Sequence, residues 1–344
     1  FFLYRYKSIL SPLVAKQEIF RRKLPFVSVF KTFYLIPVTF LFGLKEFLNG
    51  FYCEGKMKLV QFVYKDNPKE IRVGYLSGDD VVDINKVDPT IPSTLIEILK
   101  NGAFEKVKKL QATNQETVPI SAVSIKAPIH GGDKVLCVGL NYKDHCEEQK
   151  FPPPEIPFIF NKFPSTIIGP NDSIKLKPKI SEKVVCEVEL TVVIGKTASK
   201  VKAEDAYDYI LGYTIAQDIG ATDWDKNKAI GQLVLGKAMD TFCPIGPCIT
   251  TSDEVGDPQT LDIRCIVNGV QKQKSNTNQF IHKIPDVIER LSNLFTLLPG
   301  DIILTGTPGG VGVYRDPPEF LQAGDAIVSE IEKIGVMINI VEHF

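Results

Sequence analysis

No Cys-x-x-Cys pair occurs in the 344 residues, so the ligand spacing of a thiolate zinc site is missing. The seven cysteines (Cys53, Cys137, Cys146, Cys186, Cys243, Cys248 and Cys265) are odd in number, scattered and mostly set in apolar runs. They read as buried, reduced thiols and argue against secretion. Long hydrophobic runs are also missing. The apolar stretch Phe33–Leu44 spans 12 residues and contains Pro37 and Gly43, short of the ~20 that cross a bilayer. Charge of one sign is not in excess: the net of −1 gives no field for nucleic acid or an anionic membrane. Internal repeats and low-complexity segments are absent too. What is present is an ordinary globular composition, 44% hydrophobic and 24% charged, with ample material for a core.

The charge is balanced only on average. Residues 1–56 hold nine Lys/Arg against three Glu, whereas the other 288 hold 31 Lys/Arg against 38 Asp/Glu. The first methionine is Met57, directly before a strand-like alternation. Residues 1–56 are therefore expected to be a basic leader, either an organelle transit peptide or upstream sequence joined to a protein that starts at Met57. A mitochondrial or cytoplasmic, non-secreted protein is the matching expectation.

Residues 57–126 read as a small N-terminal α/β subdomain. Leu59–Tyr64, Ile71–Leu76 and Asp79–Ile84 alternate as short antiparallel strands, with a turn at Asn67-Pro68, and Thr94–Leu110 has an amphipathic helical pattern. Residues 127–344 are strand-rich. Strands are predicted at 134–139, 158–161, 173–176, 184–194, 211–218, 263–267, 302–305, 326–331 and 335–340, with helices only around 203–208 and 284–293. Many strands without regular βα alternation imply a β-rich α+β fold and argue against a doubly wound sheet.

The most informative stretch is Val184–Ile194. Its β-branched content makes it a strand, and its apolar neighbours make it an interior one. Period two puts Glu187 and Glu189 on one face, roughly 7 Å apart from the ~3.3 Å rise per residue. Two ionised carboxylates in such a place need a shared proton, a basic partner or a bound cation. A solvated edge strand with salt-bridged glutamates is the bland reading, but an edge strand should not be this apolar. Asp218, ending the strand that starts at Leu211, offers a third hard oxygen ligand for a divalent cation.

Five further stretches lie around these residues in sequence. They are Val138-Gly139-Leu140-Asn141-Tyr142-Lys143-Asp144-His145, Phe160-Asn161-Lys162-Phe163-Pro164-Ser165, Ser275-Asn276-Thr277-Asn278-Gln279, Pro299-Gly300-Asp301 and Thr305-Gly306-Thr307-Pro308. Together with Glu187-Val188-Glu189-Leu190 they make the segment 135–342 resemble the fumarylacetoacetate hydrolase family, in family order over about 200 residues.

The resemblance implies a mixed β-roll, typically homodimeric, with Mg²⁺ or Mn²⁺ (Ca²⁺ as a variant) on Glu187, Glu189 and Asp218. It implies His145 and Glu148 as a water-activating dyad, Lys237 as a cationic stabiliser and Lys162 as a substrate contact. Family substrates are small 2-oxo acids and 1,3-dicarbonyls. The expected activity is acylpyruvate-type carbon–carbon hydrolysis, with oxaloacetate decarboxylation or enol–keto tautomerisation as the alternative.

The residue types suit that chemistry. A chelated metal polarises a 2-keto acid, and His145 with Glu148 at i, i+3 share one face of a helical turn. Lys237 would stabilise an enolate, although alone it would read as a surface lysine. Phe151-Pro152-Pro153-Pro154 reads as a lid. Residues 305–312 lack the Gly-Lys-Ser/Thr ending and following helix of a nucleotide loop. They fit a turn whose Thr307 hydroxyl and N–H groups receive a substrate carboxylate, or a plain structural turn.

Two positions depart from the family. Cys186 replaces a usual Trp or His and is expected to pack into the core. Thr222 replaces an Arg that would pair with a carboxylate or partner subunit. The second change motivates a rival reading, a catalytically reduced paralogue that keeps the metal and binds ligand.

Overall fold

The computed structural model describes residues 57–111, 113, 115–224 and 233–344; the predicted basic leader lies outside them. The chain forms β1 (Lys58–Tyr64), β2 (Asn67–Ser77), β3 (Asp80–Asp83), β4 (Val118–Pro119), β5 (Val123–Lys126), β6 (Val135–Gly139) and β7 (Phe158–Lys162). Then come β8 (Ile167–Ile168), β9 (Ser173–Leu176), β10 (Val184–Val185), β11 (Val188–Ile194), β12 (Ile210–Gln217), β13 (Gly220–Ala221) and β14 (Cys243–Thr251). The last are β15 (Asp262–Val267), β16 (Val270–Asn276), β17 (Ile302–Leu304), β18 (Ala326–Ile331) and β19 (Gly335–His343).

Twelve strands share one sheet, β4-β3-β2-β1-β14-β12-β11-β17-β6-β7, with β5 on β1 and β8 on β14. A second sheet runs β16-β15-β18-β19-β9, and β10 pairs only with β13. Parallel ladders β17–β6, β8–β14 and β9–β19 are set among antiparallel ones, giving the mixed, β-rich α+β roll that the sequence predicts. Among the described residues, no helix is long and apolar enough to cross a membrane.

Alternation along β11 sorts the core. Val188, Leu190 and Val192 pack with Ile215 of β12 and with Ile263, Ile327 and Ile331 of the second sheet. Val193 faces the other way, among Leu59, Leu95, Ile98, Ile249 and Leu304. Period two therefore sends Glu189 to the Val193 side, between two hydrophobic layers.

Several elements differ from expectation, each for a local reason. The 94–110 helix is two helices, Leu95–Lys100 and Phe104–Gln111, because Gly102 adopts φ +66 and donates its N–H to Leu99. The 67–68 turn lies at 65–66 instead, with Asn67 already in β2. The 184–194 strand breaks at Cys186-Glu187, where its pairing passes from β13 to β12. β14 contains Pro244 and Pro247, which read against a strand; the ladder beside them shifts register and needs fewer donors. The polar β16 shows no alternation, but Asn268 (φ 52) and Gly269 (φ 78) form the primed turn that joins it to β15. The six described cysteines are free and buried, as expected.

Asp301 anchors the approach to β17. It is fully buried, accepts N–H groups from Asp133 (3.1 Å), Lys134 (2.8 Å) and Leu298 (2.7 Å), and pairs with the Lys134 ammonium at 3.0 Å. Replacing it strands three backbone donors, while the Lys134 ammonium keeps Asp133 at 2.6 Å. We expect Asp301→Ala to lower unfolding free energy by about 3–5 kcal/mol in urea titrations; a loss below about 1 kcal/mol, the size of a surface change, would refute this anchoring role.

Candidate metal and acid–base site

The break in the 184–194 strand builds the site. β11 and β12 stop pairing at the same level, and Asp218 donates its N–H to the Glu187 carbonyl at 2.8 Å. Glu187, at the kink, and Asp218, just past β12, face one another across the gap with Glu189 beside them. One ligand oxygen from each of the three lies within 4.8 Å of the others. Glu189 and Asp218 are buried and Glu187 half-buried.

Of the three compensations foreseen for crowded carboxylates, basic partners serve two of the three side chains. Lys237 places its ammonium 2.8 Å from both Glu187 Oε2 and Asp218 Oδ2, and Lys162 sits 2.6 Å from Asp218 Oδ1. Burial alone would raise the Asp218 pKa, but Lys162 and Lys237 hold it below the usual carboxylate range. Burial likewise opposes charge on Lys237, but Asp218 and Glu187 keep its pKa well above the ordinary value.

Glu189 is treated differently. Its Oε2 accepts the Gly306 N–H at 2.6 Å, and among the described residues no lysine or arginine pairs with it. Burial, then the charges of Asp218 and Glu187, push its carboxyl well above the normal range. With all three ionised, three carboxylates against two ammoniums would leave one net negative charge in a dry place, and the raised Glu189 pKa is the cost of that charge with no cation beside it. An oxygen-only donor set with unspent charge fits a hard divalent cation.

The Thr305–Gly312 segment joins this cradle to the predicted dyad. Gly306 serves Glu189, Gly309 N–H reaches Asp144 Oδ1 at 3.3 Å, and Gly310 N–H reaches Glu148 Oε1 at 2.9 Å. The carboxylates this turn receives are thus the protein's own. Glycine is required at two of these positions. Gly306 has φ +104, and a Cβ there would lie 2.7 Å from that of Asn141; Gly310 also has φ +104, with a Cβ only 2.2 Å from the Lys272 carbonyl oxygen.

On helix Lys143–Gln149, His145 Nδ1 lies 3.1 Å from Glu148 Oε2, and Tyr314 packs edge-on at 5.7 Å between centroids. Thr307 and Lys162 sit behind the site. The Thr307 hydroxyl donates to Val188 O (3.0 Å) and accepts from Gln273 (2.8 Å), and Lys162 also holds Ile219 O at 3.0 Å with no exposed side-chain surface. Cys186 packs against Cys265, sulfurs 4.0 Å apart. Thr222 donates its hydroxyl to Lys183 O at 2.9 Å.

Sequence reasoning missed Asn141, Gln149, Gln273 and the glycine donors. Asn141 binds Thr305 O (2.7 Å) and both backbone groups of His282, fixing the start of the dyad helix to the turn. It stood inside a quoted motif, which was the available signal. Gln273 and Gln149 carried none.

Known proteins resemble the chain over most of its length. The fumarylacetoacetate (FAA) hydrolase C-terminal family model covers residues 134–342. The mitochondrial oxaloacetate tautomerase fahd2 of Xenopus laevis is 46% identical over 286 residues, 82% of this chain and 89% of that protein. The mitochondrial oxaloacetate tautomerase FAHD2A of Bos taurus is 49% identical over 265 residues, 76% of this chain and 84% of that protein. Among solved structures, maleylpyruvate hydrolase from Sphingobium sp. SYK-6, in complex with manganese(II) and pyruvate, superimposes with a TM-score of 0.68 and 31% identity, covering 83% of this chain and 99% of that one. With its acidic cluster, its sheet order and a matched segment holding every predicted site residue, this chain belongs to the fumarylacetoacetate hydrolase family.

Proposed function

We propose that the chain is a divalent-metal-dependent oxaloacetate enol–keto tautomerase that acts in the mitochondrion. Glu189 carries the metal half of the reading: a buried carboxylate with no basic partner calls for a cation beside it. The names of the relatives, at 46% and 49% identity, favour proton transfer over carbon–carbon hydrolysis. That reverses the order in which the two activities stood on sequence alone.

In this reading Glu187, Glu189 and Asp218 hold Mg²⁺, with Mn²⁺ or Ca²⁺ as substitutes. When bound, the cation supplies Lewis-acid polarisation of the 2-keto acid. His145, oriented by Glu148, removes the proton from one site of the substrate and returns it to the other. In the keto-to-enol direction the C3–H bond breaks, the electron pair enters the enolate, and the enolate oxygen is then protonated. No carbon–carbon bond changes. Lys237, whose ammonium bridges Glu187 and Asp218, supplies positive charge for the enolate. Lys162 keeps Asp218 ionised and in place, and Thr307 fixes the β11 carbonyl next to Glu189; both act as supports. Acylpyruvate-type hydrolysis is the second reading, favoured by the likeness to maleylpyruvate hydrolase with its pyruvate. It needs the same base to activate water.

Enol decay of oxaloacetate, followed by ultraviolet absorbance with the full chain and Mg²⁺, tests the reading. We expect chelator to abolish acceleration and His145→Asn to lower kcat by about 10²–10⁴-fold. An oxaloacetate enol that decays no faster than in buffer, alongside rapid acetylpyruvate cleavage, would transfer the assignment to the hydrolase.

The raised Glu189 carboxyl gives a second test, with a defined sign. A carboxyl whose folded pKa exceeds its unfolded one contributes stability below the ordinary carboxylate range and loses it as pH rises through the folded value. Asp218, with its lowered pKa, has the opposite dependence, confined to acid below that range. In EDTA the melting temperature should therefore fall as pH climbs above the ordinary carboxylate range. Saturating Mg²⁺ or Mn²⁺, or the change Glu189→Gln, should remove that fall. Identical profiles with and without metal would contradict a metal at Glu189.

A further inference from the structure

The imidazole of His145 is held at both nitrogens by its own helix. Glu148 lies against Nδ1, and Gln149, one position further and i+4 from His145, places its amide nitrogen 2.7 Å from Nε2. The ring is 6% exposed, Tyr314 limits its rotation, and the Glu148 carboxylate is itself fixed by the Gly310 N–H. No partner other than these neighbours reaches either nitrogen among the described residues.

The hydrogen placement follows from which groups donate. A carboxylate only accepts, so Nδ1 carries hydrogen toward Glu148. The amide NH₂ only donates, so Nε2 presents its lone pair toward Gln149. Were the amide turned to present oxygen, both ring nitrogens would need hydrogen and the ring would be an imidazolium. One side chain can therefore meet the neutral ring with its nitrogen and the protonated ring with its oxygen.

We propose that Gln149 is a positioning residue for His145: its amide holds the neutral ring with the Nε2 lone pair as the proton acceptor, leaves that atom to the substrate, and turns its oxygen to receive the Nε2–H once the proton has moved. This rests on His145 being the base of the proposed tautomerisation. The proton balance is closed, because the hydrogen lost from substrate carbon becomes the Nε2–H and is returned to the enolate oxygen.

Two substitutions separate this from a packing role. Gln149→Glu keeps size and shape but offers only acceptors, so it forces hydrogen onto Nε2 and removes the base. Gln149→Ala deletes the amide and leaves Nε2 free. We expect kcat for oxaloacetate to fall by about 100-fold or more in the Glu variant and by about 10-fold or less in the Ala variant, with KM within about threefold in both. A packing role predicts the reverse order, since Glu fills the space and Ala does not.

Nitrogen-15 spectra of the metal-loaded full chain read the tautomer directly. The sequence has only four histidines, and His145→Asn identifies the signal. Hydrogen on Nδ1 and none on Nε2 in the parent protein, with Nε2 protonated in Gln149→Glu, is the expected result. An Nε2–H in the parent, or an Ala variant slower than the Glu variant, would overturn the proposal. If no form turns over oxaloacetate, the functional assignment fails, while the nitrogen spectra still decide the placement of the proton.

Discussion

A carboxylate cannot be buried ionised without something positive close by, and this molecule gathers two buried carboxylates and one half-buried. Two of them share two lysines, Lys237 bridging Glu187 and Asp218 and Lys162 backing Asp218. The third, Glu189, has one backbone N–H and no ammonium. Replacing all three with apolar residues would be the cheaper solution for stability alone, since buried ion pairs rarely repay their desolvation. That cost is hard to explain unless the imbalance serves a ligand of opposite charge.

The geometry that makes this imbalance comes from a defect in a sheet. A continuous 184–194 strand would keep Glu187 in the ladder, with its backbone groups paired and its side chain normal to the sheet. The exchange of partners at Cys186-Glu187 lets two strands end at one level, and the ligands gather at that end. The segment after β17 then closes the site from the other side. Its three N–H groups each take a carboxylate, one from the metal cradle and two from the dyad helix. The carboxylate cluster and the helix of His145 and Glu148 are thereby tied to one backbone turn, and positive φ at Gly306 and Gly310 is what allows a turn so tight to reach both.

Most of this fold was legible because strand burial writes period two or continuous apolar runs into sequence: 135–139, 173–176, 188–194, 263–267 and 326–331 all appear where the pattern puts them. The carboxylate cluster was legible for the same reason, since two charges inside Val/Ile-rich sequence demand compensation. What was hidden depends on tertiary partners. β14 looks like a loop by its prolines, and only the shifted ladder beside it explains why they are tolerated. Lys237 looks like a surface lysine until the carboxylates close on it, and Lys162, expected to contact substrate, backs Asp218 instead. The amide of Gln149 is one polar residue in a polar helix, meaningful only once its distance to His145 is known.

Thr222 bears on how such a site holds its substrate. Where the family resemblance leads one to expect an arginine, this chain has a hydroxyl tied to Lys183, so a guanidinium that would pair with a substrate carboxylate or a partner subunit is not offered at that position. Hydrolysis of an acylpyruvate must orient water, hold the acyl group and stabilise a carbanion as it leaves. Each task relies on binding energy from remote parts of the substrate. Enol–keto exchange asks for less: one base, one electrophile and a proton moved between neighbouring atoms. That difference in demand does not run through position 222: oxaloacetate carries two carboxylates and acetylpyruvate one, so a missing guanidinium costs the dicarboxylate at least as much. The absent arginine, which on sequence alone motivated a catalytically reduced paralogue, therefore separates neither activity from the other, and the proposed preference for proton transfer rests on the names of the relatives and on how little that reaction asks of the site.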